Sequence, residues 1–205
     1  MINKQYKIIE PFTKTPWKAL TFREVKELSG NKSTNYVHTT LKTWVKEKIM
    51  EEKKIGNNII YSLNKNIFAF NLSGFVAEFS AHQAKQLPHE KIQQLLDKIK
   101  TSFYIFLVTG SYARNKQKDN SDVDIVIICD NKQQPNAILA QIKLEAELLT
   151  PEFHPYVFTE KEFYEMLINK EENYGKEIAR NNLIITGGKE YYAILQEAIE
   201  HGFRG

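Results

Sequence analysis

The sequence predicts an α+β chain of two modules joined by a helix, and three observations predict it. Residues 1–66 are basic and read as short helical stretches followed by a hairpin. Residues 103–129 hold two apolar strands divided by a polar loop. Amphipathic helical patterns flank those strands. At 205 residues the chain can hold one large domain or two small ones. Its 42% hydrophobic content and net charge of only +3 exclude wholesale disorder. The expected divisions are 1–66, a connecting helix over 67–87, and 88–205.

Charge separates the modules. Residues 1–66 carry 13 Lys/Arg against 6 Asp/Glu, and the remainder carries 15 against 19. The single cysteine, Cys129, sits in an apolar run and reads as a small buried thiol. The five histidines are scattered, so no zinc set is expected. No apolar run approaches the roughly 20 residues needed to cross a bilayer, and no signal-peptide core opens the chain. The expected compartment is the cytoplasm, without membrane contact.

In chain order, residues 6–13 and 22–28 read as helices, the second with Thr21 as N-cap and Gly30 as stop. Val37, Leu41, Trp44, Val45 and Ile49 then recur at helical spacing, with Ser33 or Thr34 as cap. Met50–Ile55 and Ile59–Leu63 are the two arms of a hairpin around Gly56-Asn57-Asn58. Three helices and a hairpin in this order resemble a winged helix-turn-helix. That resemblance implies double-stranded DNA as partner, with the helix from Thr34 to Glu47 in the major groove and the hairpin as wing. Exposed Asn35, Tyr36, His38, Thr39 and Lys42 would meet bases or phosphates, with Lys46 also off the apolar stripe and Lys53 and Lys54 flanking the backbone. Excess positive charge suits counterion release. The alternative is a solvated basic face on a module that dimerises.

"NIFAFNLSGFVAEFSAHQAKQ" reads as a packing helix, its aromatics serving core or interface, broken at Leu87-Pro88. Ile92, Leu95, Leu96 and Ile99 mark the next amphipathic helix. "FYIFLVTG" (103–110) is a buried strand, and the chain re-enters the sheet as "SDVDIVIIC" (121–129). Alternation puts Asp122 and Asp124 on one face, where paired carboxylates repel unless a cation sits between them. Hard ions such as Mg²⁺ take these oxygens together with substrate phosphates. At Gly110-Ser111 a glycine lets the backbone approach a ligand, and the N–H groups opening a short helix form a phosphate cradle. Arg114 is placed for a phosphate contact or for an ion pair that holds the loop. These parts describe metal-assisted phosphoryl or nucleotidyl transfer.

Gly110-Ser111-x-Ala113-Arg114, followed after a loop by Ser121-Asp122-x-Asp124, resembles the signature of the DNA polymerase β-type nucleotidyltransferases, nearest their minimal prokaryotic branch. The resemblance implies a nucleotidyltransferase-fold α/β domain with a short mixed sheet behind the winged helix domain. It implies Gly110, Ser111, Arg114 and Ser121 as nucleotide-binding residues, Asp122 and Asp124 as catalytic Mg²⁺ ligands, and an NTP, ATP first, as donor. Two positions depart from the pattern. Asn115 stands where the family has glycine, and asparagine tolerates left-handed backbone. The family's third carboxylate is an aspartate; here an apparent strand over 150–159 offers Glu152 as catalytic stand-in and His154 as a possible base, sharing a face with Tyr156.

After that come helices over 159–181 with a Thr159/Glu162 capping box, then an apolar run, a Gly187-Gly188 turn and a last helix in which Tyr191 and Tyr192 read as core. The leading expectation is a cytoplasmic Mg²⁺-dependent nucleotidyltransferase whose acceptor is an antibiotic or a partner protein. The alternative is a DNA-binding regulator whose nucleotidyltransferase-like domain senses nucleotide or is inert. A third reading, antitoxin-like, joins operator binding to modification of a partner. A homodimer follows by analogy with paired half-sites.

Overall fold

The computed structural model describes residues 5–101 and 103–205. Its N-terminal unit runs α1 (Tyr6–Lys14), β1 (Leu20–Thr21), α2 (Phe22–Leu28), α3 (Thr34–Lys46), β2 (Met50–Ile55) and β3 (Asn58–Leu63). Thr21 and Glu24 close a reciprocal capping box on α2, and the Ser33 hydroxyl accepts from the Tyr36 N–H to start α3. The three strands form an antiparallel sheet in the order β1-β3-β2. Asn58 pairs with Ile55, so the hairpin turn is the tighter Gly56-Asn57, not the three residues expected. Gly56, at φ 57°, makes that reversal possible. Ile8, Ile9 and Phe12 of α1, Leu41 and Trp44 of α3, and Tyr61 of β3 are buried together in this unit's core.

The second unit is built on a four-stranded mixed sheet, order β6-β5-β4-β7: β4 is Tyr104–Val108, β5 Val123–Cys129, β6 Phe153–Thr159 and β7 Leu183–Thr186. Only β5 and β6 run parallel, joined through α7 (Pro135–Ala146). Strand alternation sorts the side chains into two layers. Ile105, Leu107, Val126 and Ile128 face one core with α8 (Glu160–Ile168), α9 (Tyr174–Arg180) and α10 (Gly188–Glu200). Phe106, Val108, Ile125 and Ile127 face the other with α5 (His89–Leu96) and α7. Tyr191 and Tyr192 lie in the first core, as the sequence reading expects.

The strands are shorter than the apolar runs that announce them. Residues 103, 109–110, 121–122 and 150–152 fall outside the ladders, so Asp122 and Glu152 stand just before β5 and β6. The Val123 N–H donates to the Glu152 carbonyl at 2.8 Å, which holds these two approach segments side by side.

Helix α4 (Ile67–His82) joins the units and belongs to both cores. Its Val76 and Leu72 pack in the N-terminal core, while Phe70 and Ala77 pack against α10 and the sheet. α4 and α10 approach through Gly74 and Gly188: a Cβ on Gly74 would stand 2.5 Å from the Lys189 backbone nitrogen, and one on Gly188 2.6 Å from Gly74 Cα. Beside that contact the Glu78 carboxylate accepts the Gly188 N–H at 2.7 Å and caps α10. The buried Tyr192 hydroxyl donates to the Thr13 carbonyl of α1 at 2.9 Å. Among the described residues no helix is long and apolar enough to cross a membrane.

Gly74→Ala is expected to lower stability by about 1–3 kcal/mol, because the intruding methyl meets backbone that cannot rotate away. Urea unfolding measures it, and a variant as stable as wild type would refute the close approach.

Candidate active site

The site forms where β4 ends and β5 and β6 begin. Thr109 leaves β4 in extended conformation, with its N–H donating to the Asp124 carbonyl at 2.9 Å. Its buried hydroxyl donates to the Asn181 carbonyl, at the end of α9, at 3.0 Å. Gly110 follows at φ 66° and opens the short helix α6 (Gly110–Ala113). A Cβ at this position would run into the Asp124 carboxylate. Glycine is thus needed twice, for the left-handed backbone and for the missing side chain. The Tyr112 carbonyl accepts from Gln86 at 3.3 Å, and Asn115 takes φ 52°, the left-handed backbone that asparagine tolerates.

Arg114 makes an ion pair with Glu177 of α9 at 3.2 Å. Both side chains are well exposed, so this pair is easily exchanged. Ser121 closes its own loop: its hydroxyl accepts the Lys118 N–H at 2.8 Å, and its N–H donates to the Lys118 carbonyl at 2.9 Å.

Three further side chains meet at the mouth of the sheet. Donor atoms of Asp122, Glu152 and His154 all lie within 4.8 Å of one another. The imidazole stands between the carboxylates, Nε2 at 3.1 Å from Glu152 Oε1 and Nδ1 at 3.7 Å from Asp122 Oδ2. His154 is the direct neighbour of Asp124 in the parallel β5–β6 register. Asp124 falls outside this trio and rests against Gly110. Burial pushes its carboxyl above the usual range; positive charge at His154 opposes that shift, Asp122 and Glu177 add to it, and Arg114 works against it. Burial, and then the Asp124 charge, likewise raise the Tyr174 hydroxyl.

The donor set fits a divalent cation. Asp122 and Glu152 offer the carboxylate oxygens that Mg²⁺ prefers, with Asp124 two residues after Asp122, on β5. His154, Thr109, Tyr174 and Glu177 complete the surroundings. Of these only His154 carries a sequence signal; the others arrive on elements some 50–60 residues from the motif or lie in an apolar run.

In the N-terminal unit, Asn35, His38, Thr39, Lys42 and Lys46 are exposed, and their three- and four-residue spacing puts them on one face of α3. Tyr36 is a correction: it is half-buried against the N-terminal core, at the edge of the stripe that buries Val37 and Thr40. Lys42 is engaged by Glu52 of β2 at 2.8 Å, and that bond raises its pKa. Lys53 and Lys54 are exposed on β2, where successive side chains take opposite faces. Between α3 and the hairpin lies a cavity of about 880 Å³ lined by Asn35, His38, Arg23, Asn58 and Ile59.

Residues 90–179 match the nucleotidyltransferase domain family. The match spans the Gly-Ser turn, both aspartates, Glu152 and His154. No curated protein matches the chain. Among solved structures, a toxin–antitoxin with AMP-PNP is similar at 18% identity, covering 56% of this chain and 87% of that one, with a TM-score of 0.40.

The raised Asp124 carboxyl has a consequence for stability. A carboxyl raised in the folded state contributes stability that is present below its unfolded pKa and is lost as pH rises through the folded one. Asp124→Asn is therefore expected to be more stable than wild type at pH 7, with the difference shrinking as the pH falls through the folded pKa to the unfolded one. Thermal unfolding across pH measures this, and a pH-independent difference would refute it.

Proposed function

We propose that this chain transfers a nucleotide from a nucleoside triphosphate, with ATP as the donor to test first, to an acceptor hydroxyl, in the presence of Mg²⁺. One observation carries the reading: the Gly110-Ser111 turn lies directly on the Asp124 carboxylate, beside the Asp122–Glu152–His154 group. In this reading the free N–H groups of the turn and the Ser111 hydroxyl hold the phosphate tail. Arg114 exchanges its exposed partner Glu177 for a phosphate oxygen. A divalent ion bound by Asp122 and Asp124, with Glu152 as third carboxylate, would supply charge neutralisation at the α-phosphate. Glu152 or His154 takes the proton of the acceptor hydroxyl. The acceptor oxygen bonds to the α-phosphorus, the α–β anhydride bond breaks, and pyrophosphate leaves toward the Gly-Ser turn. Ser121 acts by shaping the loop, through its bonds to Lys118. An antibiotic and a partner protein are the two acceptor classes that the sequence resemblance implies.

The N-terminal unit completes the proposal as a winged helix-turn-helix that binds double-stranded DNA. Its three helices, its β1-β3-β2 sheet and the exposed polar face of α3 support this. Lys46, Lys53 and Lys54 are the exposed cations for the phosphate backbone, while Lys42 must first leave Glu52. A homodimer would let two such units read paired half-sites. A second reading, a regulator whose nucleotide site senses without transferring, is favoured by one feature: Glu152 lies before β6 with its side chain 71% exposed, less firmly held than a ligand on the strand.

Incubation with labelled ATP and Mg²⁺ is expected to give labelled acceptor and pyrophosphate, with Asp122→Asn lowering transfer roughly 100-fold or more. Undiminished transfer in that variant would sink the metal assignment, and wild type that binds ATP without releasing pyrophosphate would favour the sensing reading.

For the N-terminal unit, duplex affinity is expected to fall steeply with salt, and Lys46→Ala to reduce the slope of log affinity against log salt by about 1. Absence of duplex binding at low salt would remove the DNA-binding reading.

A further inference from the structure

We propose that Tyr156, backed by Tyr174, is the surface on which the base of the donor nucleotide stacks; this deepens the nucleotidyl-transfer reading and rests on it. Tyr156 pairs with Val126 on β5, two positions beyond the Asp124–His154 pair, so it projects from the same face of the sheet as both. With strands about 4.8 Å apart and residues about 3.3 Å apart, its Cα stands about 8 Å from that of Asp124. Tyr156 is 40% exposed, and among the described residues it is the only large exposed apolar residue on the four-stranded sheet.

The ring is also held in place. Its centroid lies 5.0 Å from that of Tyr174, at an interplanar angle of 55°, and Tyr174 in turn stands 6.3 Å from Phe158. A ring fixed by its neighbours loses little freedom when a ligand settles on it. Position then selects the ligand. The α-phosphate has to lie at the carboxylates, where bonds change, and the phosphate tail leads from there toward Gly110-Ser111 on the β4 side. The nucleoside, attached to that same phosphorus, is one sugar away from the carboxylates. On the β6 side Tyr156 is an exposed π-surface within that reach, while the imidazole of His154 is already engaged between Glu152 and Asp122. Every nucleobase has a face to stack, so the contact favours a nucleotide over bare polyphosphate without choosing among bases.

The test measures binding of ATP and of inorganic tripolyphosphate, each with Mg²⁺, to the full chain by titration calorimetry. Wild type is compared with Tyr156→Phe, Tyr156→Leu and Tyr156→Ala. The expected result is a loss of about 10-fold in ATP affinity for the Leu and Ala variants, wild-type affinity for the Phe variant, and one tripolyphosphate affinity throughout. Unchanged ATP affinity in the Leu and Ala variants would overturn the assignment and leave the ring to the acceptor. Equal losses for ATP and tripolyphosphate would overturn it as well, by showing a disturbed carboxylate site. Wild type that binds neither ligand would instead bring down the nucleotidyl-transfer reading, and this inference with it.

Discussion

A glycine and a carboxylate share one small volume at the mouth of the sheet, and the rest of the site is arranged around them. Asp124 occupies the space that any side chain at residue 110 would need. With Gly110 at φ 66° the chain can leave β4, pass over that carboxylate and present the first N–H groups of α6 on its far side. Thr109 locks the crossing from two directions, to the Asp124 carbonyl and to the Asn181 carbonyl. The second bond draws in the end of α9, and Glu177 on the same helix meets Arg114 just past the turn. Segments around residues 110, 124 and 180 are thereby fixed relative to one another before any ligand arrives. Preorganisation of this kind is what phosphoryl-transfer chemistry asks of a protein, because positioning and charge do most of the work.

The parts of this arrangement legible in the sequence are those whose cause is local. Thr21 and Thr159 announce their helices because a capping box needs only a residue and its third neighbour. The Gly-Ser turn and the aspartates stand out because a left-handed glycine and alternating acids are written in adjacent positions. What stayed hidden depends on contacts between distant segments. Nothing near Glu177 or Tyr174 marks them as neighbours of Asp124, since α9 reaches the site only through tertiary packing. Lys42 reads as a free cation until the hairpin folds back and brings Glu52 against it. The apolar runs overstate the strands because hydrophobicity continues past the last ladder bond, which places Asp122 and Glu152 before their strands and not in them. Gly74 carries a local signal of its own: glycine within a helix costs about 1 kcal/mol relative to alanine, so its presence asks for a close approach, and Gly188 supplies one.

The same helix that carries Gly74 decides how the two proposed activities relate. α4 gives Val76 and Leu72 to the N-terminal core and Phe70 and Ala77 to the other, so neither core is complete without it. Tyr192 adds a buried hydrogen bond from α10 to α1, and Trp17 packs edge-on against Phe203 with ring centroids 5.3 Å apart. A flexible tether would leave an N-terminal unit free to turn on DNA while the other unit found its acceptor. Here the helix between them is shared, and rotation of one unit against the other would have to open buried apolar contacts and break a buried hydrogen bond, a cost far above thermal energy. If α3 lies in a major groove, the mouth of β5 and β6 is held at a set angle to the duplex. An acceptor must then reach the site from the side that the DNA leaves open. On that proposal the geometry of the α4 junction, more than any residue at the carboxylates, would determine which acceptors a DNA-bound chain could meet.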